Sequence, residues 1–241
     1  MHSLLRLPSL LLLIPCVALQ GATAALAVDV DLTSAAASGS IGSGTFVQTD
    51  PQPTGTGVID PFVRLEAMGQ EQGFNTDHRP LKDDLADVKS GQWTHSVLVG
   101  ELVAVDFNGV PSLRFLLDIN QTGASPQLSM DELRVYTAAT PDISDNATLF
   151  AQNLIYDMGA GNRVLLDYSL NSGSGSGDMF FYLPASLFAG LDTQYLYLYS
   201  KFGASGGSYA SNDGFEEWAH IIFAVPVDES SWTKVKQLYR D

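Results

Sequence analysis

The chain has 241 residues, a single cysteine and a formal net charge of −15 at pH 7, because 27 acidic side chains stand against 12 basic ones. This balance argues against a nucleic-acid partner and against adhesion to anionic lipid, since both ligands bind basic surfaces. One cysteine excludes an internal disulfide framework and a site built from several thiolates, so a folded domain must hold by its core or by bound ions.

The first 27 residues have the composition of a secretory signal peptide. They contain one arginine, a short apolar run, and small residues at Ala25 and Ala27 in an A-x-A pattern. We expect cleavage after Ala27, with Ala24 as the alternative, which removes Cys16 with the peptide. The apolar run is too short for a membrane span, and no second run of spanning length follows. The sequence therefore predicts a protein that is secreted or displayed at the cell surface and has no membrane span after cleavage.

Three segments follow the signal peptide. Residues 28–44 are rich in Ala, Ser and Gly without an apolar period, which is typical of a flexible linker. Residues 45–227 carry strand-like runs and form the predicted domain. Residues 228–241 place Trp232, Val235 and Leu238 at helical spacing, which predicts a short amphipathic C-terminal helix.

The predicted domain is all-β. About eleven short runs of β-branched, aromatic and aliphatic residues are separated by turn signals at intervals of roughly eight to twelve residues. A parallel α/β fold would need long helical segments between strands, and the sequence has none. We therefore predict a single antiparallel β-sandwich, jelly-roll-like. The polar residues 69–92 are interpreted as a long loop across one end of the sheets.

The stretch from Arg114 to Tyr136 joins two strand-like runs through a loop rich in oxygen ligands. Asp118 and Asn120 fall at alternate positions, and Asp131 and Glu132 close the loop, an order similar to that of an EF-hand calcium loop. The closing glutamate stands nine residues after the loop glycine, whereas the EF-hand spacing is six, so a calcium site here has a longer loop. The alternative is an ordinary hairpin loop with solvated acids.

Two other polar stretches offer further oxygen ligands for calcium. If one calcium ion binds both stretches, it connects separate loops at one end of the sandwich. Calcium can stabilise an exported domain in this way when the domain has no disulfides. The alternative is a set of exposed acids beside a buried aromatic residue. The predicted ligands are Glu71, Asn75 and Asp77 in the polar loop and Asn212, Asp213, Glu216 and Glu217 near the C-terminal strand.

A tyrosine row marks the run YLYLYSKFG. Tyr195, Tyr197 and Tyr199 share one face of the predicted strand, and Trp218 belongs to the next strand candidate. If this face is exposed, these four residues form a platform on which a polysaccharide can stack. If it is covered, the rings fill the core and the protein is structural.

Evidence for catalysis is limited to two patterns. Residues 203–207 match G-x-S-x-G, but no helical segment follows Ser205, so we do not expect a serine hydrolase. The 27 acids supply many carboxylate pairs of the kind that glycoside hydrolases use, and nothing in the sequence selects one pair. We therefore expect no enzyme, with a glycan-active hydrolase as the alternative.

Several blocks together resemble a family of secreted bacterial proteins that usually carry a PEP-CTERM sorting tail for exosortase. The blocks span about Gly55 to Trp218 and include GTGVIDPFVRLE, EQGFNTD, FLLDINQTG, LSMDELRVY, LLDYSLNSGSGSGDMFFYLP, YLYLYSKFG and NDGFEEW. The resemblance implies an exported or surface protein without assigned activity, in biofilm or exopolysaccharide contexts. The tail itself is missing, because the chain shows AVPVDESSWTKVKQLYRD where the family has Val-Pro-Glu-Pro, an apolar helix and a basic end.

Together these observations predict a non-enzymatic β-sandwich of the extracellular matrix or cell surface. We expect calcium to stabilise it and an extracellular polysaccharide to be its partner. The sequence makes no prediction about its oligomeric state.

Overall fold

The structure is a computed structural model that describes residues 27–49, 61–79, 93–173, 177–212 and 214–220. One short α-helix, α1 (Asn146–Phe150), and four single-turn 3-10 helices (Val99–Glu101, Tyr168–Leu170, Ala185–Phe188, Gly207–Tyr209) occur within these ranges. The strands in the same ranges are β1 (Asp29–Asp31), β2 (Ser38–Ile41), β3 (Gly44–Gln48), β4 (Pro61–Leu65), β5 (Glu71–Phe74), β6 (Val97–Leu98), β7 (Val105–Phe107), β8 (Val110–Asp118), β9 (Gln127–Ala138), β10 (Asn153–Asp157), β11 (Arg163–Asp167), β12 (Met179–Pro184), β13 (Tyr195–Phe202) and β14 (Glu216–His220).

The strands form two sheets. Sheet A has the order β1-β11-β9-β13-β5, with β10 also beside β9 and β6 also beside β13. Sheet B has the order β2-β3-β12-β8-β14-β4, with β7 also beside β8. Among the described strands every pair is antiparallel except β1 with β11. The predicted all-β sandwich is confirmed.

The core lies between the inner faces of the two sheets. Alternate residues of β12 point inward, so Met179, Phe181 and Leu183 are fully buried while their neighbours face outward. Phe181 stacks on Phe46 with ring centroids 5.0 Å apart and meets the edge of Trp218 at 6.3 Å. The burial of each side chain of this size adds about 1.5–3 kcal/mol to the stability of the folded state. The paired sheets are therefore held by one continuous aromatic and aliphatic layer.

Residues 28–44 are not the predicted flexible linker. They form β1 and β2, with Val30, Leu32 and Ile41 buried. The alternation Asp-Val-Asp-Leu carries a strand signal that the surrounding Ala, Ser and Gly residues obscure. The described sandwich therefore begins at Asp29 rather than at residue 45.

Part of the predicted polar loop at residues 69–92 is also a strand. Residues 71–74 form β5, which pairs with β13 from Tyr199 to Phe202 at the edge of sheet A. The sequence Glu-Gln-Gly-Phe has little β propensity, so tertiary pairing with the tyrosine strand decides its conformation.

A short helix precedes β10. Residues 146–150 form α1, whose N-cap Asp145 accepts a hydrogen bond from the backbone N–H of Thr148 at 2.8 Å. Only then does β10 begin, at Asn153. The signal-peptide residues 1–26 and the predicted helix in residues 228–241 lie outside the described residues.

Candidate functional site

The tyrosine row of β13 lies inside the protein. The rings of Tyr197 and Tyr199 are 0% and 2% exposed, and Tyr195 is half-buried. They face the outer side of sheet A, where residues 143–149 cover them. The resulting tyrosine cluster is a second core made of Phe74, Tyr136, Ala138, Ile143, Leu149, Tyr197 and Tyr199, with Tyr195 packed against it. Tyr197 and Tyr199 therefore cannot offer a ring face to a polysaccharide, and the alternative prediction that these rings fill a core is correct.

The polar ends of these aromatic residues are satisfied within the protein. The Tyr197 hydroxyl donates to the Thr140 carbonyl oxygen at 2.6 Å, and burial raises the pKa of this tyrosine above its usual range. Trp218 is 0% exposed and donates from Nε1 to the Ser200 hydroxyl at 3.1 Å. The predicted role of Trp218 in ligand binding is wrong, because its ring belongs to the core between the sheets.

Several acidic residues gather at the end of the sandwich where β8 and β14 lead into loops. Glu217 is opposite Asp118 in the register of β14 with β8, which places two carboxyls side by side. Arg64 forms an ion pair with Glu217, its Nε lying 3.2 Å from Oε1 of that residue. We call this region the acidic end and define it by Glu71, Asp118, Asp178, Glu216 and Glu217.

Glu71 and Glu216 form a buried carboxyl pair at the acidic end. They are 2% and 0% exposed. Oε2 of Glu71 accepts from the Ala67 N–H at 3.0 Å, and Oε1 of Glu216 accepts from Nε2 of Gln121 at 2.6 Å. Oε1 of Glu71 and Oε2 of Glu216 are buried and accept no hydrogen bond from a described donor. Burial, partly offset for Glu71 by hydrogen bonds, raises the pKa of both groups, and the charge of Glu71 raises the pKa of Glu216 further.

Asp118 and Asp178 form a second carboxyl pair. Oδ1 of Asp118 accepts from the Gly177 N–H at 3.1 Å, and Oδ2 of Asp178 accepts from the Ile119 N–H at 2.8 Å. Each aspartate thus caps the backbone beside the other. Burial raises the pKa of Asp178 to about 8, with a smaller contribution from the charge of Asp118, and Oδ1 of Asp178 has no hydrogen-bond partner.

Two predicted ligands near the acidic end organise loops. The Asn212 carbonyl oxygen Oδ1 accepts from the Thr122 N–H at 2.8 Å, and Nδ2 of Asn212 donates to the Ser125 carbonyl at 2.8 Å. The side chain of Asn120 packs against Gly214, where a Cβ would lie 2.4 Å from Nδ2. These amides therefore tie the loop after β8 to the loop before β14. The predicted ligand Asp213 lies outside the described residues.

Asn75 and Asp77 do not join the acidic end. The side chain of Asn75 is buried and bridges the backbone of β13, donating to the Leu196 carbonyl and accepting from the Leu198 N–H, both at 2.7 Å. Asp77 accepts from the N–H and the hydroxyl of Ser96, both at 2.8 Å. Both residues fix chain segments against one another, so the prediction that they share one ion with Glu216 and Glu217 is wrong.

The calcium loop predicted between Asp118 and Glu132 is likewise not a single site. Asp131 is the extra residue of a β-bulge in β9, opposite the step from Lys201 to Phe202 in β13. The bulge turns Asp131 and Glu132 toward a pocket on the outer face of sheet A, whereas Asp118 ends β8 in sheet B. Within the described ranges, no three Asp, Glu, His or Cys side chains are arranged as a metal site would require.

The pocket beside this bulge has a volume of about 360 Å³ and mixes both charges. It forms where β10 and β11 pair with successive parts of β9 and the turn between them, residues 158–162, spans the gap. Gly159 and Gly161 in this turn have φ values of 85° and 82°, which favour glycine. We call it the bulge pocket; its lining includes Asp131, Glu132, Arg134, Asp157, Ala160, Arg163 and Ser205.

Ser205 of the G-x-S-x-G match lies in the bulge pocket. Its hydroxyl donates to Oδ1 of Asp131 at 2.7 Å and accepts from Nη1 of Arg163 at 3.3 Å. Gly203 is required sterically, because a Cβ there would lie 2.2 Å from the Gly69 carbonyl oxygen. The first glycine of the motif is therefore explained by local packing.

A second open concavity lies on the outer face of sheet B. The ring of Phe107 stacks on that of Tyr182 with centroids 3.9 Å apart and an interplanar angle of 17°. The concavity has a volume of about 200 Å³. We call it the aromatic cleft; it is lined by Ser43, Thr45, Phe107, Asn108, Val110, Ser112, Tyr182 and Pro184.

Two features of the sequence could have predicted the aromatic cleft. Asn108-Gly109 between two strand runs is a strong signal for a two-residue hairpin, and both residues adopt positive φ, 54° and 83°. In MFFYLP, Phe180 and Tyr182 share one face. Their neighbours at alternate positions supply the core, so this aromatic pair faces outward.

Comparisons with protein-family models, with curated proteins and with solved structures found no match. None of the helices in the described part of the chain is long and apolar enough to cross a membrane.

Proposed function

We propose that the protein is an exported, non-enzymatic β-sandwich of the cell surface or extracellular matrix that binds polysaccharide through the aromatic cleft. The observation that carries this proposal is the stacked pair Phe107 and Tyr182 beside an open cleft. An apolar ring face beside hydroxyl and amide groups suits a sugar, because one side of a pyranose is apolar and its rim carries hydroxyls.

Polar groups line the cleft beside the stacked rings. Ser43 and Asn108 are exposed, whereas Thr45 is half-buried and its hydroxyl lies 3.0 Å from that of Ser40. Tyr182 contributes a phenol hydroxyl, which can both donate to and accept from a sugar hydroxyl. The arrangement supports the polysaccharide partner predicted from the sequence, at a different strand from the tyrosine row.

A glycan-active hydrolase is the second candidate, favoured by the three carboxylates of the bulge pocket. Glycoside hydrolysis requires one carboxyl that is protonated at working pH, which usually means an apolar environment. Glu132 and Asp157 instead contact Arg134, and Asp131 accepts three hydrogen bonds. These carboxylates lie among basic groups and hydrogen-bond donors rather than in an apolar environment, so binding is the better supported function.

We also propose that calcium stabilises the protein at one place, the Asp118–Asp178 pair. Two buried carboxyls lie side by side there, and one oxygen of Asp178 has no partner. Calcium takes six to eight oxygen ligands, so backbone carbonyls or water must complete the shell.

Affinity electrophoresis tests the binding function. The purified protein is run through gels containing neutral or acidic polysaccharides, such as β-glucan, dextran, xylan and alginate. We expect at least one of them to retard it, and Phe107→Ala to weaken that retardation about five- to tenfold, because one stacking surface worth about 1–1.5 kcal/mol is lost.

Leu154→Ala is the matched control, since Leu154 is an exposed apolar residue of β10 on the other sheet. It should leave retardation unchanged. Absence of retardation on the whole panel, or equal retardation of wild type and Phe107→Ala, contradicts the proposal. Release of reducing ends from any panel member favours the hydrolase instead.

A further inference from the structure

The bulge pocket retains both hydrogen-bond donors and hydrogen-bond acceptors after its internal contacts are made. An ionised carboxylate has about four acceptor sites and a guanidinium about five donors. Asp131 uses three acceptor sites, on Ser129, Ala204 and Ser205. Arg163 uses three donors, two on Asp29 and one on Ser205. Unused sites of both kinds therefore remain around the cavity.

Arg134 and its two acidic neighbours leave the same mixture. Nη2 of Arg134 donates to Glu132 at 2.8 Å, and Nε lies 3.5 Å from Oδ2 of Asp157. Glu132 is also 3.5 Å from Nζ of Lys201, and Asp157 accepts from the Gly159 N–H at 2.7 Å. About half of the acceptor sites on each carboxylate stay open.

This mixture selects a ligand class. A phosphate or carboxylate ligand only accepts hydrogen bonds and an ammonium ligand only donates them, so neither matches both kinds of unused site. A sugar hydroxyl donates and accepts, and it carries no charge. The volume of about 360 Å³ lies at the small end of the range for ligand pockets, which suits one or two sugar rings.

The bulge pocket and the aromatic cleft lie on opposite sides of the molecule. Arg134 and Asp157 alternate with core residues of sheet A, and Tyr182 alternates with core residues of sheet B, so each set faces away from the core. Sandwiched sheets are stacked about 10 Å apart, and the concavity on each outer face is open to a separate chain. One polysaccharide strand cannot fill both sites by lying on a single face.

We propose that the bulge pocket is a second saccharide site and that the protein is bivalent, cross-linking neighbouring polysaccharide chains. This inference rests on the proposed function, because it takes the aromatic cleft as the first site. Cross-linking would give a non-enzymatic protein of this size a role in a matrix. A protein with one site binds a single polysaccharide chain, whereas two sites on one rigid body connect two chains.

Two measurements on the purified protein test the second site. The probe is the polysaccharide that retards the wild-type protein most, together with an oligosaccharide of the same sugar. Titration calorimetry with the oligosaccharide should give two equivalents per chain, and light scattering should show cross-linking of the polysaccharide. Ala160→Tyr, which fills the pocket from an exposed position, should reduce the stoichiometry to one and abolish cross-linking while retardation persists.

Ala147→Tyr is the matched control, because Ala147 is exposed on α1 and lines neither concavity. It should behave as wild type. Phe107→Ala should leave one site at wild-type affinity and one that is about five- to tenfold weaker, and should reduce cross-linking accordingly. If Ala160→Tyr cross-links as wild type does, or if Phe107→Ala alone removes all binding, the second site is refuted while the proposed function stands. If wild type binds no panel polysaccharide, the proposed function fails with it.

Discussion

Glu71 and Glu216 meet at a buried position where neither carboxyl contacts a basic side chain among the described residues. Two ionised carboxylates side by side would repel each other strongly in the low-dielectric interior. The stable arrangement is therefore one in which the pair holds a proton. The charge of Glu66 on a neighbouring segment also disfavours the ionised form of Glu71 and raises its pKa. The pair therefore links the stability of the acidic end to pH.

We expect the protein to be more stable at pH 5 than at pH 8. The pKa values of Glu71 and Glu216 are raised in the folded state, so their stabilising effect is complete below the unfolded value near 4.3 and is lost as pH rises toward the folded values. Asp178 acts with the same sign between about pH 4 and pH 8. Glu216→Gln keeps an oxygen for Gln121 and should flatten this pH dependence, because it removes one of the two titrating carboxyls.

Chemical denaturation at pH 5, 6.5 and 8 measures this effect. Glu101→Gln is the control, because Glu101 is an exposed acid on the 3-10 helix Val99–Glu101 and should leave the pH slope as in wild type. A wild-type protein whose stability rises from pH 5 to pH 8, or a Glu216→Gln variant with the wild-type slope, would show that the pair does not share a proton.

Calcium should raise the melting temperature at pH 8, where Asp178 is free to ionise. A ligand that binds only the folded state at one hundred times its Kd stabilises by about 2.7 kcal/mol, or roughly 5–10 °C for a domain of this size. Asp178→Asn should abolish the increase, whereas Asp77→Asn, at a site that only caps Ser96, should keep it. A melting temperature unchanged by calcium and by EDTA would show that calcium does not stabilise the protein.

At the scale of elements, the strands with high β propensity were predictable from the sequence. The runs that form β3, β8, β12 and β13 are rich in β-branched, aromatic or aliphatic residues, and each pairs as a strand. β1 and β5 were missed because their conformation depends on partners, β11 and β13, that lie more than 120 residues away in the chain. Local composition does not encode such pairings.

The same limit applies to the candidate sites. Alternation correctly places Tyr195, Tyr197 and Tyr199 on one face, but which face is covered depends on residues 143–149, which fold back over it. Likewise, Glu71 and Glu216 are separated by 145 positions, and their contact follows from strand order rather than from spacing. The sequence identified Glu71 and Glu216 as candidate ligands, but only the fold shows that they form a pair.

At the scale of the whole molecule, the N-terminal segment joins the two sheets. β1 adds to sheet A beside β11, and β2 adds to sheet B beside β3 only a few residues later. The two strands approach closely, since a Cβ on Gly39 would lie 2.9 Å from the methyl carbons of Val30. Leu32 follows β1 and is 1% exposed, so the segment closes one edge of the core.

Leu32→Ala should therefore destabilise the whole protein by about 2–5 kcal/mol, because deleting a buried leucine removes its transfer free energy and leaves a cavity. Val28→Ala, four residues earlier and 42% exposed, should cost less than about 0.5 kcal/mol. Equal free energies of unfolding for the two variants would mean that residues 28–44 behave as a linker after all. A large and specific loss for Leu32→Ala, seen as one cooperative transition, would mean that both sheets unfold together and that the two outer faces belong to one rigid body.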